Sequence, residues 1–221
     1  MSSSSLYPLV SKTYYFSGIL TNLTPLRIGS GKSVAGEVDM PIIYSNGKPF
    51  IPGTSLKGAL RTEAERFVMA DGKEEYKVFF PDTLIQMMDD KDYLDNLKKC
   101  PTCLLFGAPK LLSRLVVYDA YVVSDYKVTI RTLTSINRIT GAQKFRSLYT
   151  IEYVEPGAKF NFQMAVRGVK FSEDDKDIEA YMGKIVNHLL EVLKSGEFQI
   201  GSKKSAGFGK VILQDLKKKE G

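Results

Sequence analysis

The sequence has no tryptophan, a single histidine and only two cysteines in 221 residues. One imidazole cannot build a His-rich metal centre, and it makes a histidine-based catalytic triad a poor reading. His188 lies in the apolar-rich stretch 185–190, where a helix-packing or helix-surface place is expected of it. The cysteines stand as Cys100-Pro101-Thr102-Cys103, half of a zinc-type or redox pair. No further Cys or nearby His completes a tetrahedral site, so no structural zinc is expected. Packed thiols rank first here, a local disulfide second and a vestigial or intermolecular metal site third. Also missing is any apolar run approaching the ~20 residues of a membrane span. The first ten residues have neither the basic start nor the apolar middle of a signal peptide. A cytoplasmic protein without a membrane partner is the expectation.

What the chain does have is an ordinary globular balance, with 43% hydrophobic and 25% charged residues, which excludes global disorder and fibrous repeats. Lys and Arg number 31 against 25 acids, a formal charge of +6. That excess suits a polyanionic partner without demanding one. Part of it sits in Lys217, Lys218 and Lys219, read as a solubilising tail.

Residues 13–23 are β-branched and aromatic and read as a first strand. A Pro/Gly-rich loop follows, then a short hairpin around Asn46-Gly47. A helix begins near Thr54 or Ser55, either of which can cap it, and ends at Asp71-Gly72. Residues 73–99 read as a partly helical insertion. Residues 115–123 and 127–132 look like strands, and 135–147 is polar enough to project from the core. A strand at 159–167, an amphipathic helix from Ile178 to Leu193 and a last strand at 210–216 complete the chain. Strand, helix, strands, then strand, helix, strand is the order of an α+β, ferredoxin-like split βαβ domain. One domain over 1–221 is expected, with an insertion at 73–112 and a projecting hairpin at 129–150.

Gly29-Ser30-Gly31-Lys32-Ser33 ends like a phosphate-binding P-loop, but the first glycine of that motif falls on Leu26 and no helix pattern follows. ATP binding through it is not expected. Residues 201–210 combine three glycines, three lysines and Phe208. Glycines let backbone amides approach phosphate oxygens, Lys203 and Lys204 add charge, and Phe208 can pack or stack. Ser55 and Lys57, at a helix start, add a second place that favours anions.

Several segments in sequence order carry a resemblance. They are Ile28-Gly29-Ser30-Gly31, Val38-Asp39-Met40-Pro41, and the run Pro49-Phe50-Ile51-Pro52-Gly53-Thr54-Ser55-Leu56-Lys57-Gly58-Ala59-Leu60-Arg61. Further along come Cys100 to Gly107, Ser113-Arg114-Leu115 with Asp119-Ala120, Ser135-Ile136-Asn137-Arg138, Pro156-Gly157-Ala158-Lys159-Phe160, and the 201–209 loop. Together they resemble the RAMP superfamily of CRISPR proteins, closest to the repeated Csm-type backbone subunit of type III effector complexes.

The resemblance implies an RRM-related ferredoxin-like core that stacks with copies or paralogues of itself and with other effector subunits along a CRISPR RNA, which pairs with target RNA. It implies that Asp39, in the loop after the first strand, supports cleavage of target RNA as an endoribonuclease with a divalent metal, Mg²⁺ by expectation. On residue chemistry alone, a turn cap before Pro41 is the better reading of Asp39. By the same resemblance the polar segment is a thumb-type hairpin whose Arg138, Lys144 and Arg146 meet phosphates. Arg27 stands where several relatives place a guide-contacting histidine, and Ser55, Lys57, Arg61, Lys203, Lys204 and Phe208 join it as RNA-binding candidates. Leu133 occupies a place that is acidic in many relatives. Asp119 and Glu152 match acidic positions, and Asp119, set in an apolar strand, is expected to hold structure by hydrogen bonding. Two alternatives stand beside this reading. One is a non-catalytic scaffolding paralogue. The other is a precursor-processing nuclease with a His or Tyr acid–base pair, weak with one histidine.

Overall fold

A computed structural model describes residues 12–31, 38–89, 91–136, 143–172, 174 and 176–221. Its main sheet contains β1 (Thr13–Asn22), β4 (Leu115–Val117), β8 (Lys159–Arg167) and β9 (Val211–Glu220), in the spatial order β4-β8-β1-β9. Every neighbouring pair is antiparallel. With α1 (Gly53–Asp71) after β1 and α5 (Ile178–Ser195) after β8, the chain runs strand, helix, strand, strand, helix, strand, with the fourth strand beside the first. That is the strand order of a split βαβ unit.

The two helices pack on each other and on the sheet. In α5, Tyr181, Ile185, Val186, Leu189, Leu190 and Leu193 recur at helical spacing and are buried, which is why this element is the strongest in the sequence. Asp177 caps it by accepting the Ala180 N–H at 2.9 Å. The start of α1 differs from expectation. Neither Thr54 nor Ser55 caps it; the helix begins one or two residues earlier, with Pro52 at the cap position and no side-chain bond there. Its first amide, on Gly53, is taken instead by Asp119 Oδ1 at 2.7 Å.

The stretch 115–123 is not one strand. Leu115–Val117 pairs with β8, and then the chain crosses to a second sheet, where β5 (Ala120–Tyr121) joins β3 (Lys48–Ile51) and β2 (Tyr44–Ser45). Asp119 sits in the bend between them and is exposed, contrary to its expected place inside an apolar strand. Residues 73–114 carry three short helices, α2 (Pro81–Gln86), α3 (Tyr93–Lys98) and α4 (Pro101–Phe106), the last packed against α1 and α5. Cys100 and Cys103 are fully buried and joined in a disulfide, so the second-ranked reading replaces that of packed thiols.

Lys217 to Lys219 are not a loose tail. They continue β9 opposite Tyr15, Phe16 and Ser17, and Lys218 Nζ stands 3.5 Å from the Phe171 ring centroid and 4.7 Å from that of Tyr14. The polar segment becomes a hairpin of β6 (Val128–Ile136) and β7 (Gln143–Val154), in register from Val128↔Val154 to Thr134↔Leu148, with a register shift before Ile136↔Gln143. Its base is tied to the loop after β1 by Leu26 and Val154, which exchange backbone hydrogen bonds of 2.9 and 2.8 Å.

Candidate nucleic-acid interface

The loop leaving β1 folds back on itself. Ile43 N–H donates to Ile28 O at 2.9 Å, and Gly29 bridges Ile42. A cleft of about 440 Å³ opens beside this loop, lined by Arg27, Gly29, Ser30, Gly31, Asp39, Met40, Pro41 and Ser202. The two residues singled out for guide contact and catalysis, Arg27 and Asp39, therefore share one cavity.

Arg27 is only 8% exposed. One guanidinium nitrogen donates to Ser202 Oγ at 2.7 Å, and the Ser202 N–H donates back to Arg27 O at 2.9 Å. Its Nε is buried without a hydrogen-bond partner among the described residues. Burial lowers its pKa, with Glu152 and Tyr149 opposing that effect, yet guanidinium stays charged at any ordinary pH. The close approach is possible because residue 201 is glycine at φ 81°; a Cβ there would stand 2.3 Å from Arg27 O.

Asp39 is exposed, but its carboxylate is engaged. Oδ2 accepts the Thr150 N–H at 2.7 Å and the Thr150 hydroxyl at 2.8 Å, while Asp39 N–H donates to Thr150 Oγ1 at 2.9 Å. These bonds, the backbone one foremost, hold the Asp39 pKa below the usual carboxylate value. These partners lie 111 residues away in sequence, on β7, and not in the turn before Pro41. Two positions along β7, Glu152 accepts Ile42 N–H at 2.9 Å and the Tyr44 hydroxyl at 2.6 Å. Burial and this carboxylate raise the Tyr44 pKa.

The 201–210 loop meets the hairpin base. Lys203, in the left-handed region at φ 61°, donates to Tyr149 Oη at 3.0 Å and lies 5.1 Å from that ring's centroid. Lys204 is exposed. Lys210, the third lysine, is paired with Glu197 at 2.7 Å. Phe208 is corrected as a base-stacking candidate: it is 6% exposed and packs edge-on against Tyr153 in a small core with Ile151.

Two of the three α1 candidates, Lys57 and Arg61, are spent on internal contacts. Lys57 Nζ donates to Ser113 Oγ at 2.8 Å, and burial lowers its pKa. Arg61 pairs with Glu65 at 2.8 Å and donates to Gly107 O at 3.1 Å. Ser55 is exposed on the first turn. Arg138 lies outside the described residues, as do the side chains of Lys144 and Arg146, whose backbone belongs to β7. His188 stacks on Phe67 at 4.3 Å and meets Glu63 at 3.2 Å between α1 and α5, a packing role. Thr150 and Ser202, the partners that fix Asp39 and Arg27, carry no sequence signature that would have singled them out for these roles.

Sheet, hairpin and cleft define a split βαβ protein whose first loop places a buried arginine and an anchored carboxylate at one cleft. The chain belongs to the RAMP superfamily, whose family model matches residues 19–212. It is 30% identical to the CRISPR system Cms endoribonuclease Csm3 of Methanocaldococcus jannaschii, over 90% of this chain and 78% of that protein. Against the protein of the same name from Mycobacterium tuberculosis it is 30% identical, covering 90% of this chain and 86% of the relative. The one from Streptococcus thermophilus is 27% identical over 91% and 87%. Among the described residues no helix is long and apolar enough to cross a membrane.

Proposed function

We propose that this chain is a backbone subunit of a type III CRISPR ribonucleoprotein that lies along the CRISPR RNA, admits complementary target RNA and cuts the target through Asp39 with a divalent metal. The observation that supports it best is the shared cleft of Arg27 and Asp39, with the Asp39 carboxylate held by Thr150 of β7. Arg27, buried and cationic, suits a guide phosphate, while Lys203 and Lys204 add charge along the same backbone. The β6–β7 hairpin is the thumb that interrupts the guide–target duplex, with Arg138, Lys144 and Arg146 as its phosphate contacts. The split βαβ sheet is read as the ferredoxin-like, RRM-related core. Sequence choice would belong to base pairing, and the protein would read only backbone and shape.

Among the described residues no three His, Cys, Asp or Glu side chains come together, so Asp39 would be one ligand and RNA oxygens and water the rest. That hard-oxygen set suits Mg²⁺. A bound ion would supply neutralisation of charge at the scissile phosphate and a more acidic attacking hydroxyl. Asp39 itself contributes a carboxylate, ionised at neutral pH as any ordinary Asp is, whose charged form the Thr150 donors favour further.

The test is cleavage of labelled target RNA by the assembled complex with Mg²⁺, comparing the parent with Asp39→Ala at matched RNA occupancy. Loss of cutting with binding intact supports the reading; unchanged cutting leaves the chain a scaffold. The scaffold alternative has its own support, since Asp39 Oδ2 is already satisfied inside the chain.

A further inference from the structure

We propose that Thr150 is a positioning residue for Asp39, and that through it the β6–β7 hairpin sets where the carboxylate stands in the cleft. The inference rests on Asp39 being the cleaving carboxylate. A carboxylate on an exposed loop would otherwise sample several rotamers, each placing the charge differently. Here one residue fixes both ends of Asp39. The Thr150 hydroxyl donates to Oδ2 at 2.8 Å and accepts the Asp39 N–H at 2.9 Å, and the Thr150 backbone N–H adds a second donor to Oδ2 at 2.7 Å.

The next residue extends the attachment. Met40 N–H donates to Thr150 O at 3.1 Å, Glu152 N–H donates to Met40 O at 3.1 Å, and Met40 forms a parallel bridge with Ile151. The segment carrying Asp39 is therefore docked on the outer edge of β7. β7 in turn cannot slide freely. Thr150 is paired with Thr132 in the hairpin, and Ile151 is fully buried against Tyr153 and Phe208. A β-branched side chain with restricted χ1 suits this place, because it aims the hydroxyl without further ordering.

Three charged groups near the cleft make hydrogen bonds elsewhere among the described residues. Arg27 is held by Ser202, Glu152 by Ile42 and Tyr44, and Lys203 by Tyr149. Thr150 is thus the group that acts on Asp39 directly, and docking of RNA against the hairpin reaches the carboxylate through it.

The experiment compares parent, Thr150→Val, Thr150→Ser and Asp39→Ala in the assembled complex at matched RNA occupancy, reading kcat and KM for cleavage of labelled target RNA separately. Valine keeps shape and strand preference but removes the hydroxyl, and serine restores it. Expected are a loss of about tenfold to a hundredfold in kcat for Val, the scale of a small misplacement of a reacting group, with KM unchanged, and recovery of most of the rate by Ser. Parent-like kcat in Thr150→Val, where Asp39→Ala abolishes cutting, overturns this proposal alone. Equal losses in Val and Ser overturn it too. Cutting that survives Asp39→Ala removes the reading beneath it and the proposal together.

Discussion

Asp119 Oδ1 accepts the backbone N–H of Gly53 at 2.7 Å, so the first turn of α1 is capped from a bend 66 residues further along the chain. The arrangement needs glycine at 53, where a Cβ would stand 2.3 Å from Val117 O. Asp119→Ala should lower stability by about 1–2 kcal/mol, as loss of a helix cap does, and Asp119→Asn, which keeps an acceptor, by less than half of that. Gly53→Ala should cost more, because backbone has to move. Urea unfolding midpoints measure all three, and a parent-like midpoint for Asp119→Ala would contradict the capping role.

Phe208 should behave as a packing residue. Phe208→Leu keeps most of the volume and should cost about 1 kcal/mol while leaving RNA affinity of the folded protein unchanged. Phe208→Ala should open a cavity beside Tyr153 worth about 3–5 kcal/mol. A base stacked on this ring would instead cost about 1–3 kcal/mol of binding in both variants, visible in filter-binding isotherms at constant salt.

Lysines that looked equivalent in sequence should separate by salt dependence. Lys203→Ala and Lys204→Ala should each make log affinity for guide RNA fall less steeply with log salt, by about one unit or less, as phosphate contacts do. Lys57→Ala should leave that slope unchanged and lower stability, since its ammonium is already bound to Ser113. Identical slopes for parent and Lys203→Ala would remove that lysine from the RNA path.

Asp71 gives the fold an acid sensitivity of definite sign. Its carboxylate accepts from Lys184 and from the Tyr181 hydroxyl, each at 3.0 Å, and the Lys184 bond foremost holds its pKa below the unfolded value. The contribution is therefore complete above the ordinary carboxylate pKa of about 3.9 and is lost as pH falls through the lower folded value. Asp71→Asn should be about 1 kcal/mol less stable than the parent at pH 7, a figure already reduced for solvent screening, and should converge with it in strong acid. A gap that stays constant from pH 7 to pH 3 would exclude this ion pair as its origin.

Elements whose signal is local were legible in the sequence. β1, β8 and α5 announce themselves by alternation or helical spacing, and the Asn46-Gly47 turn by two positive φ angles, 50° and 74°. The misread places depend on distant residues. The cap of α1 comes from Asp119, and 115–123 is divided because its halves pair with different sheets. Lys217 to Lys219 looked solvated because an edge strand tolerates lysines as well as a tail does. In the candidate site, Arg27 and Asp39 were found by resemblance to the family. Thr150 and Ser202 were not, since a lone hydroxyl 111 or 175 residues away leaves no spacing to recognise.

The sheet order sets a timetable for synthesis. β1 lies between β8 and β9, whose first residues are Lys159 and Val211. A ribosome must therefore release well over half of the chain before the first strand finds either neighbour, while α1 and the short helices after it have already emerged with apolar faces uncovered. Folding of this subunit should be late, slow for its size and dependent on chaperones during translation.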